Sequence, residues 1–367
     1  MVIRQNRMER SFAAHQNEYQ TKALEVLASG KYILGEEVEA FEREFADYDH
    51  AKYCVGLASG LDSLQLAVRA LGIGAGDEVL VQGNTFIASV MGISMNGATP
   101  VFVEPDEFYT IDASKLEAKI TNKTKAIMVV HLFGQISDMR AIMDVAHKYH
   151  LKVVEDCAQA HGAELNGTKA GHFGDIGCFS FYPSKNCGGF GDGGAIITDH
   201  AEYARRIRML RNYGSEVRYY NEEVGINSRL DELQAALLRI KLKYLDDANE
   251  QRRQICNRYL EHIDNKYIEL PKIRENHGTV WHQFVVRCKF RDELIDYLNV
   301  HGVQTIIHYP VPPHLSEAYE YLNLKEGSLP ITEQYAKEVL SLPLYEGMTM
   351  EETDYVIEMV NRFRNER

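Results

Sequence analysis

The sequence lacks any long apolar run. Its most apolar stretch, near Phe86 to Met95, is interrupted by serines and a glycine, and its start, Met1 to Arg10, is polar and charged. A membrane-spanning helix needs about 20 consecutive apolar residues, and a signal peptide needs an early apolar core. We therefore expect a cytoplasmic protein with no membrane segment.

An excess of positive charge is also missing. The chain carries 40 basic and 53 acidic residues, for a formal net charge of -13. Broad nucleic-acid binding needs a basic surface, so this class of partner is disfavoured. The six cysteines show no paired spacing, which predicts reduced thiols rather than a disulfide framework. The phosphate-binding pattern G-x-x-x-x-G-K-[ST] does not occur either.

Apolar strands alternate with amphipathic helices through the first two thirds of the chain. This alternation predicts an α/β fold with a mostly parallel sheet covered on both faces. The predicted strands are 76–81, 101–103, 125–130, 151–156, 175–181 and 195–198, and the predicted helices include 61–71, 138–150, 201–210 and 230–244. Ligands of such sheets bind at the carboxyl ends of the strands. Phe86, Asp106, Asp156 and Lys185 all lie at or after strand ends, so we expect them in one crevice.

A length of 367 residues favours two domains. The chain becomes charged and polar at Asp246-Asp247, which predicts a large domain over 15–246 and a smaller C-terminal α/β domain over 247–367. In the smaller domain we expect strands near 280–287 and 304–308, and helices near 292–300, 332–340 and 351–363.

Lys185 lies on a glycine-rich turn between two apolar runs. A lysine held there could form a Schiff base with a carbonyl cofactor, although a lone lysine in a turn is more often a surface residue. The segment Gly189–Gly194 formally matches G-x-G-x-x-G. It precedes a strand instead of opening a helix, so the dinucleotide interpretation is rejected.

Two further features would suit a phosphorylated cofactor. Ser59-Gly60 opens a predicted helix, and free N–H groups at a helix start can hold phosphate. Asp156 ends an apolar strand, where a carboxylate needs a partner. It could cap a helix or hydrogen-bond in the core, or it could pair with the protonated ring nitrogen of pyridoxal phosphate. Together with Lys185, these features are what pyridoxal phosphate requires.

Five motifs carry a resemblance to a known family. They are 58–64 (Ala-Ser-Gly-Leu-Asp-Ser-Leu), 154–162 (Val-Glu-Asp-Cys-Ala-Gln-Ala-His-Gly), 179–186 (Phe-Ser-Phe-Tyr-Pro-Ser-Lys-Asn), 191–194 (Gly-Asp-Gly-Gly) and 225–235 (Gly-Ile-Asn-Ser-Arg-Leu-Asp-Glu-Leu-Gln-Ala). With them the chain resembles the sugar-nucleotide aminotransferases of the DegT/DnrJ/EryC1/StrS family. These are fold-type I pyridoxal-phosphate enzymes, with an aspartate aminotransferase-like fold.

The resemblance implies a role for each matching residue. Lys185 would hold the cofactor covalently and Asp156 would pair with its ring nitrogen. The remaining cofactor contacts would be Ser59, Gly60, Leu61, Phe86, Gln159, Ser180 and, from the neighbouring subunit of a homodimer, Asn227. The sugar nucleotide would meet Tyr182, Arg229, His308 and Tyr309, and no metal is implied. Leu61 stands where relatives commonly have threonine, so only its backbone would contact the phosphate.

The implied reaction is transamination of a nucleotide-linked ketosugar with L-glutamate as amino donor. Residues 211–217 and 308–314 resemble the branch that aminates C-3 of dTDP-3-keto-6-deoxyhexoses, whose products feed O-antigens, S-layer glycans or antibiotic sugars. Amination at C-4 of a dTDP-, UDP- or GDP-4-keto-6-deoxyhexose stays open. A lyase and a non-catalytic cofactor-binding regulator also stay open, whereas a related dehydrase is disfavoured because it has histidine in place of Lys185.

Overall fold

The computed structural model describes residues 1–364. The strands are β1 (Tyr53–Leu57), β2 (Glu78–Gln82), β3 (Thr99–Val103), β4 (Thr124–Val130), β5 (Lys152–Asp156), β6 (Glu164–Leu165), β7 (Thr168–Lys169), β8 (Ile176–Ser180), β9 (Gly194–Thr198), β10 (Ser215–Val217), β11 (Tyr220–Asn221), β12 (Phe284–Arg287) and β13 (Val339–Leu342). The helices are α1 (Met8–Ala14), α2 (Gln16–Ser29), α3 (Glu36–Tyr48), α4 (Gly60–Ala70), α5 (Ile87–Ser94), α6 (Met139–Tyr149), α7 (Ala201–Leu210), α8 (Glu232–Lys243), α9 (Leu245–His262), α10 (Arg291–Val300), α11 (Pro330–Glu338) and α12 (Met350–Arg362). Within the described range, no helix is both long and apolar enough to cross a membrane.

A seven-stranded sheet forms the centre of the molecule, in the order β1-β9-β8-β5-β4-β2-β3. Strands β3, β2, β4, β5 and β8 run parallel to one another, whereas β9 runs antiparallel to both β8 and β1. The predicted mostly parallel sheet is therefore confirmed. Its carboxyl ends lie along one edge, which is where the side chains that follow β5 and β8 meet.

Both faces of the sheet are covered by helices, which explains its continuous apolar strands. In β4, Ile127 and Val129 pack on the side of α3, α6 and α8, whereas Ala126 and Met128 pack on the side of α4, α5 and α7. Ile127 and Met128 are fully buried, and truncating either one to alanine is expected to cost about 2–5 kcal/mol. These two apolar layers hold the strand ends in fixed positions.

A second hydrophobic core lies in the C-terminal part of the chain. It joins α9, the antiparallel pair β12 and β13, α10 and α12. Ile3 belongs to this core as well, because the start of the chain pairs with Val303. Helix α9 begins at Leu245, so the predicted domain boundary at 246/247 falls in its first turn. The division into 15–246 and 247–367 stays a prediction.

Three expectations for the C-terminal part were wrong in detail. Residues 304–308 form only an isolated bridge, from Ile306 to Ser341, and the predicted strand 280–287 is shortened to β12. The helix predicted over 332–340 ends at Glu338, and the next four residues form β13. All four residues of β13 are buried, and so short an apolar run has no periodicity that separates a strand from a helix.

Candidate functional site

The two main candidate residues follow neighbouring strands. Asp156 is the last residue of β5 and is paired with Cys178 of β8. After Ser180 at the end of β8, the chain turns sharply, and the Lys185 N–H donates to the Tyr182 carbonyl at 2.8 Å. Because β5 and β8 are parallel neighbours, both side chains reach the same edge of the sheet.

Asp156 is buried and held by neutral donors. Ser89 donates its hydroxyl to one carboxylate oxygen at 2.7 Å, and the Ala158 N–H donates to the other at 3.1 Å. A carboxylate only accepts hydrogen bonds, so the Ser89 oxygen is left to accept from Thr85 at 2.8 Å. Burial raises the pKa of Asp156, against the lowering effect of Ser89, Ala158 and the charge on Lys185.

Lys185 has an unusually weakly basic amine for a lysine. Burial lowers its pKa to about 8, although the charge on Asp156 opposes the shift. Burial together with the Lys185 charge lowers the pKa of His161 to about 3 and that of His308 to about 4, and it lowers that of His282 well below its usual value. These three histidines are neutral at pH 7, so Asp156 and Lys185 dominate the charge of the cleft.

A candidate phosphate site lies where the start of α4 meets the end of β8. Ser59 caps α4 by accepting a hydrogen bond from the Asp62 N–H at 3.1 Å, and the first N–H groups of a helix have no partner within it. A Cβ atom on Gly60 would lie 2.5 Å from the Cβ of Ser180, so only glycine fits at this position. Leu61, in the first turn, can offer its backbone N–H.

Aromatic and amide groups form the opposite wall of the cleft. The Phe86 ring is about half exposed and lies 5.2 Å from the Tyr309 ring. The Tyr309 hydroxyl accepts a hydrogen bond from the Gln159 amide at 3.1 Å, and the Gln159 carbonyl accepts from the Phe133 N–H at 2.6 Å. Gln159 is thereby fixed, whereas one face of Phe86 is free to stack on a planar ligand.

His308 and Tyr182 border the same cleft. Nδ1 of His308 is hydrogen-bonded to the Ser341 hydroxyl at 2.7 Å, which orients the ring. Tyr182 is 55% exposed, and its N–H donates to the Ser180 hydroxyl. Its phenol is therefore free to meet a ligand that enters from solvent.

Asn227 and Arg229 face a different opening. They line a cavity of about 440 Å³ together with Ala58 and Gln234. Asn227 is exposed, and Arg229 donates to the Asn212 side chain at 3.1 Å. The structure does not bring either residue to Lys185 within one chain.

Asp106 is not part of the cleft, contrary to expectation. Its carboxylate accepts hydrogen bonds from the Phe108 and Thr110 N–H groups and pairs with Arg274. Asp106, like Asp156, lies at the end of a strand, but its strand is β3, which lies at an edge of the sheet. Asp106 therefore stabilises a turn instead of facing Lys185.

The sequence profile of the DegT/DnrJ/EryC1/StrS aminotransferase family matches residues 13–361. The chain belongs to this family. It is 56% identical over 350 residues to the dTDP-3-amino-3,6-dideoxy-alpha-D-galactopyranose transaminase of Aneurinibacillus thermoaerophilus, covering 95% of this chain and 96% of that protein. It is 50% identical over 321 residues to the dTDP-3-amino-3,4,6-trideoxy-alpha-D-glucose transaminase of Streptomyces venezuelae, covering 87% and 85%.

Solved structures of this aminotransferase family have the same fold. The crystal structure of Streptomyces venezuelae DesV in complex with a ketimine intermediate matches with a TM-score of 0.97 and 46% identity over 98% of both chains. The NtdA protein of Bacillus subtilis, solved with its bound cofactor PMP, matches with a TM-score of 0.88 and 35% identity over 95% of this chain and 81% of that one. The predicted fold-type I architecture is confirmed.

The cofactor of this aminotransferase is pyridoxal phosphate, and the residues of the cleft fit it. The first N–H groups of α4 have no partner within the helix, and Gly60 lets Ser180 lie directly against this helix start, an arrangement that suits a phosphate. Among residues 1–364, Asp156 has no cation at ion-pair distance and keeps a raised pKa, and a protonated ring nitrogen would supply the missing charge. Lys185 offers an amine that could form a Schiff base with the aldehyde.

Sequence reasoning missed the residues that hold the Lys185 turn. The Asn186 amide donates to the Asn249 side chain at 2.8 Å and to the Val280 carbonyl at 2.9 Å, and its oxygen is bonded to Nδ1 of His282 at 3.1 Å. Asn249 in turn donates to the His161 carbonyl at 2.9 Å. Asn186 was visible in the lysine motif, but no sequence signal indicates partners this far along the chain.

One buried group resembles a metal site. His131, Glu155 and Cys157 place their ligand atoms within 4.8 Å of one another. The Glu155 carboxylate already accepts from His131 at 2.8 Å and from three backbone N–H groups, those of 171, 173 and 174. These hydrogen bonds fix the loop after β7. They also occupy both carboxylate oxygens of Glu155, so that neither is free to bind a metal ion.

Proposed function

We propose that this aminotransferase moves the amino group of L-glutamate to C-3 of a dTDP-3-keto-6-deoxyhexose, in a reaction that depends on pyridoxal phosphate. The observation that carries the proposal is the 56% identity, over nearly the whole chain, with a transaminase named for a dTDP-3-amino-3,6-dideoxyhexose. The relative from Streptomyces venezuelae is also named for a 3-amino sugar. The cleft with Lys185 and Asp156 supports the same chemistry.

Lys185 moves the proton in both halves of the reaction. The bound cofactor supplies an electron sink for the carbon that loses its proton. The Lys185 amine, with a pKa lowered to about 8 by burial, is partly neutral near pH 7 and can take the α-proton of glutamate. It could then release that proton to the carbon on the other side of the amine nitrogen, acting as base and then as acid.

Asp156 holds positive charge on the cofactor ring. Its hydrogen bonds from Ser89 and Ala158 favour the ionised carboxylate, and burial makes its attraction for a nearby cation stronger. With the cofactor bound, Phe86 would contact the ring, and Ser59, Gly60 and Ser180 would hold the phosphate. These residues would orient the cofactor relative to the Lys185 amine.

The sugar nucleotide enters along Tyr182, His308 and Tyr309. His308 is neutral because burial, helped by the charge on Lys185, lowers its pKa to about 4, so it can donate or accept a hydrogen bond with a sugar hydroxyl. Burial keeps the Tyr309 phenol protonated by raising its pKa. Arg229 is assigned to the substrate of a neighbouring subunit, since it faces a separate opening.

A homodimer with shared active sites accounts for Asn227 and Arg229. Both are held beside the start of α4 by Ser228, whose hydroxyl accepts from the Ala58 N–H at 3.1 Å and donates to Asp62 at 2.7 Å. Outward-facing groups at this position can reach a second copy. Light scattering should give a dimer, and a catalytically competent monomer would contradict the proposal.

Product analysis tests the position of amination. The enzyme is incubated with glutamate and either a dTDP-3-keto- or a dTDP-4-keto-6-deoxyhexose, and the new C–N bond is located by NMR. We expect amination at C-3, whereas a product aminated only at C-4 refutes this part of the proposal. A spectral response to glutamate with no aminated sugar from either substrate would favour the lyase alternative, whereas a bound cofactor whose absorbance does not respond to glutamate would favour the regulatory alternative.

Two lysine variants test the chemical step. Lys185→Ala should lower the rate of the glutamate half-reaction by at least about 100-fold, the usual minimum for a lost acid–base group. Lys148→Ala, which removes an exposed lysine paired with Glu117, should leave the rate unchanged. Turnover of Lys185→Ala at the wild-type rate would rule out the assigned role.

A further inference from the structure

A second cavity lies behind the turn that carries Lys185. It has a volume of about 400 Å³ and is bounded by the segment before and within α1, by residues 183–190, and by α9. Tyr19, Ser11, Lys185 and Arg252 are among its lining residues. None of the cofactor or sugar contacts assigned above, apart from Lys185, lies on its wall.

Arg252 brings a charge without an ion pair to this cavity. The side chain is only 5% exposed, and one guanidinium nitrogen donates to the carbonyls of Trp281 and His282 at 3.3 and 3.4 Å. No acidic side chain within residues 1–364 lies at ion-pair distance from it, and its other nitrogens have no hydrogen-bond partner there. A buried guanidinium without an ion pair is costly, and burial lowers its pKa, although the more distant charge on Glu346 opposes the shift.

Tyr19 adds an unused donor on the same wall. It is 2% exposed, and its hydroxyl has no hydrogen-bond partner in the described part of the chain. Burial raises the pKa of Tyr19, with a further contribution from Glu346, so the hydroxyl keeps its proton. A buried hydroxyl of this kind costs about 1–3 kcal/mol when it is left unsatisfied.

The other charges around the cavity are already paired. Arg7 donates to Glu9 at 2.9 Å, and Lys241 pairs with Glu346 and is hydrogen-bonded to Ser11. What the cavity leaves unsatisfied is therefore one guanidinium and one phenol, both donors. A ligand that satisfies both must carry negative charge and at least two acceptor oxygens.

We infer that this cavity is a binding site for a small carboxylate, with Arg252 and Tyr19 donating to its oxygens. A carboxylate is planar and matches the fork of a guanidinium. It needs one positive charge, whereas a doubly charged phosphate calls for more. The ligand has two candidate sources: the amino donor or its 2-oxo acid, because the cavity reaches Lys185, and a separate carboxylate metabolite that binds only here.

Binding of succinate to the holoenzyme tests the site. Succinate has neither an amine nor a ketone, so it cannot react, and its binding does not depend on whether the proposed transamination is correct. Calorimetry should show saturable binding to wild type. Arg252→Met should weaken it by at least about tenfold, and Tyr19→Phe by about two- to tenfold, from the usual contributions of charged and neutral hydrogen bonds.

Matched variants control for damage to the fold. Arg253→Met removes the neighbouring arginine of α9, which is paired with Glu250 on the surface, and should leave succinate binding unchanged. Tyr19→Phe removes one oxygen atom, and Arg252→Lys keeps the charge, so either is informative if Arg252→Met fails to fold. The inference is overturned if wild type shows no saturable binding, or if Tyr19→Phe and the folded Arg252 variant bind as wild type does.

The same variants identify the source of the carboxylate. If the amino donor occupies the site, Arg252→Met or Arg252→Lys should raise the glutamate concentration that half-saturates the first half-reaction. The increase should be about the same factor as that by which the variant weakens succinate binding. If that concentration stays constant while succinate binding is lost, the site belongs to a separate carboxylate. Both results support the site and differ only in its occupant.

Discussion

Ser89 is expected to control how strongly Asp156 holds the cofactor. Ser89→Ala removes the donor that lies 2.7 Å from one carboxylate oxygen, leaving only the Ala158 N–H at 3.1 Å on the other. Ser89 is 1% exposed and Asp156 is 6% exposed. Because little solvent reaches this position, water has restricted access to replace the lost hydroxyl.

The magnitude follows from the charge of the acceptor. A hydrogen bond to an ionised group is worth about 1.5–3 kcal/mol net, which corresponds to about a 10- to 150-fold change in an equilibrium or rate constant. The lost bond favours the protonated acid, so the pKa of Asp156, already raised by burial, rises further. We expect cofactor affinity, or kcat, or both in combination, to fall by a factor in this range.

Cofactor titration of the apoenzyme and kcat of the holoenzyme measure the effect. Thr85→Val, which removes the group bonded to Ser89, should cause a smaller loss in the same direction. Ser94→Ala is the matched control, because Ser94 lies on the same helix but is bonded to Met91 and Tyr319. If Ser89→Ala and Ser94→Ala both match wild type within twofold, the assigned support of Asp156 is wrong.

Three further outcomes are expected. The glutamate half-reaction should accelerate with rising pH, reach half of its limiting rate at about pH 8 and level off above that pH, because burial lowers the pKa of Lys185 to about 8 and the neutral amine is the proposed base. Stopped-flow rates across pH test this. Gly60→Ala puts a Cβ atom 2.5 Å from that of Ser180 and should lower unfolding free energy by about 1–3 kcal/mol and cofactor content with it, as measured by denaturation and absorbance. Burial pushes the pKa of Glu352 upward, but its two hydrogen bonds from Arg10, at 2.6 and 2.7 Å, lower it to about 2. Arg10→Ala should therefore destabilise the protein by about 1–3 kcal/mol at pH 7, and the difference from wild type should shrink as pH falls below about 5, in denaturant titrations at each pH.

The central sheet and the lysine turn could be predicted because their signals are local. Apolar runs of four to seven residues ended where β4, β5 and β9 end and one residue beyond the end of β8, and Ser59 capped α4 as its sequence indicated. The β13 strand was mistaken for the end of a helix because its four residues are all buried. Asp106 was misplaced because a strand-end position does not reveal which strand lies at the edge of the sheet.

The groups that complete the site could not be predicted from spacing. Ser89 reaches Asp156 across 67 positions of sequence, and Asn186 reaches His282 across 96. Arg252 looked like any charged residue of a polar helix, and only the fold shows it buried without an ion pair. Pairing over such distances depends on how helices pack against the sheet, which periodicity does not determine.

Two separate sets of contacts fix the position of Lys185 relative to Asp156. The first is the register of β5 with β8 within the sheet. The second is formed by Asn186, the residue after the lysine, which is hydrogen-bonded to α9 and to the backbone at Val280. Asn249 extends this link to the loop that follows Asp156, through the His161 carbonyl. Lys185 and Asp156 therefore keep their relative placement only while α9 stays docked against the sheet, which would couple the proposed chemistry of the cleft to the packing of the C-terminal part of the chain.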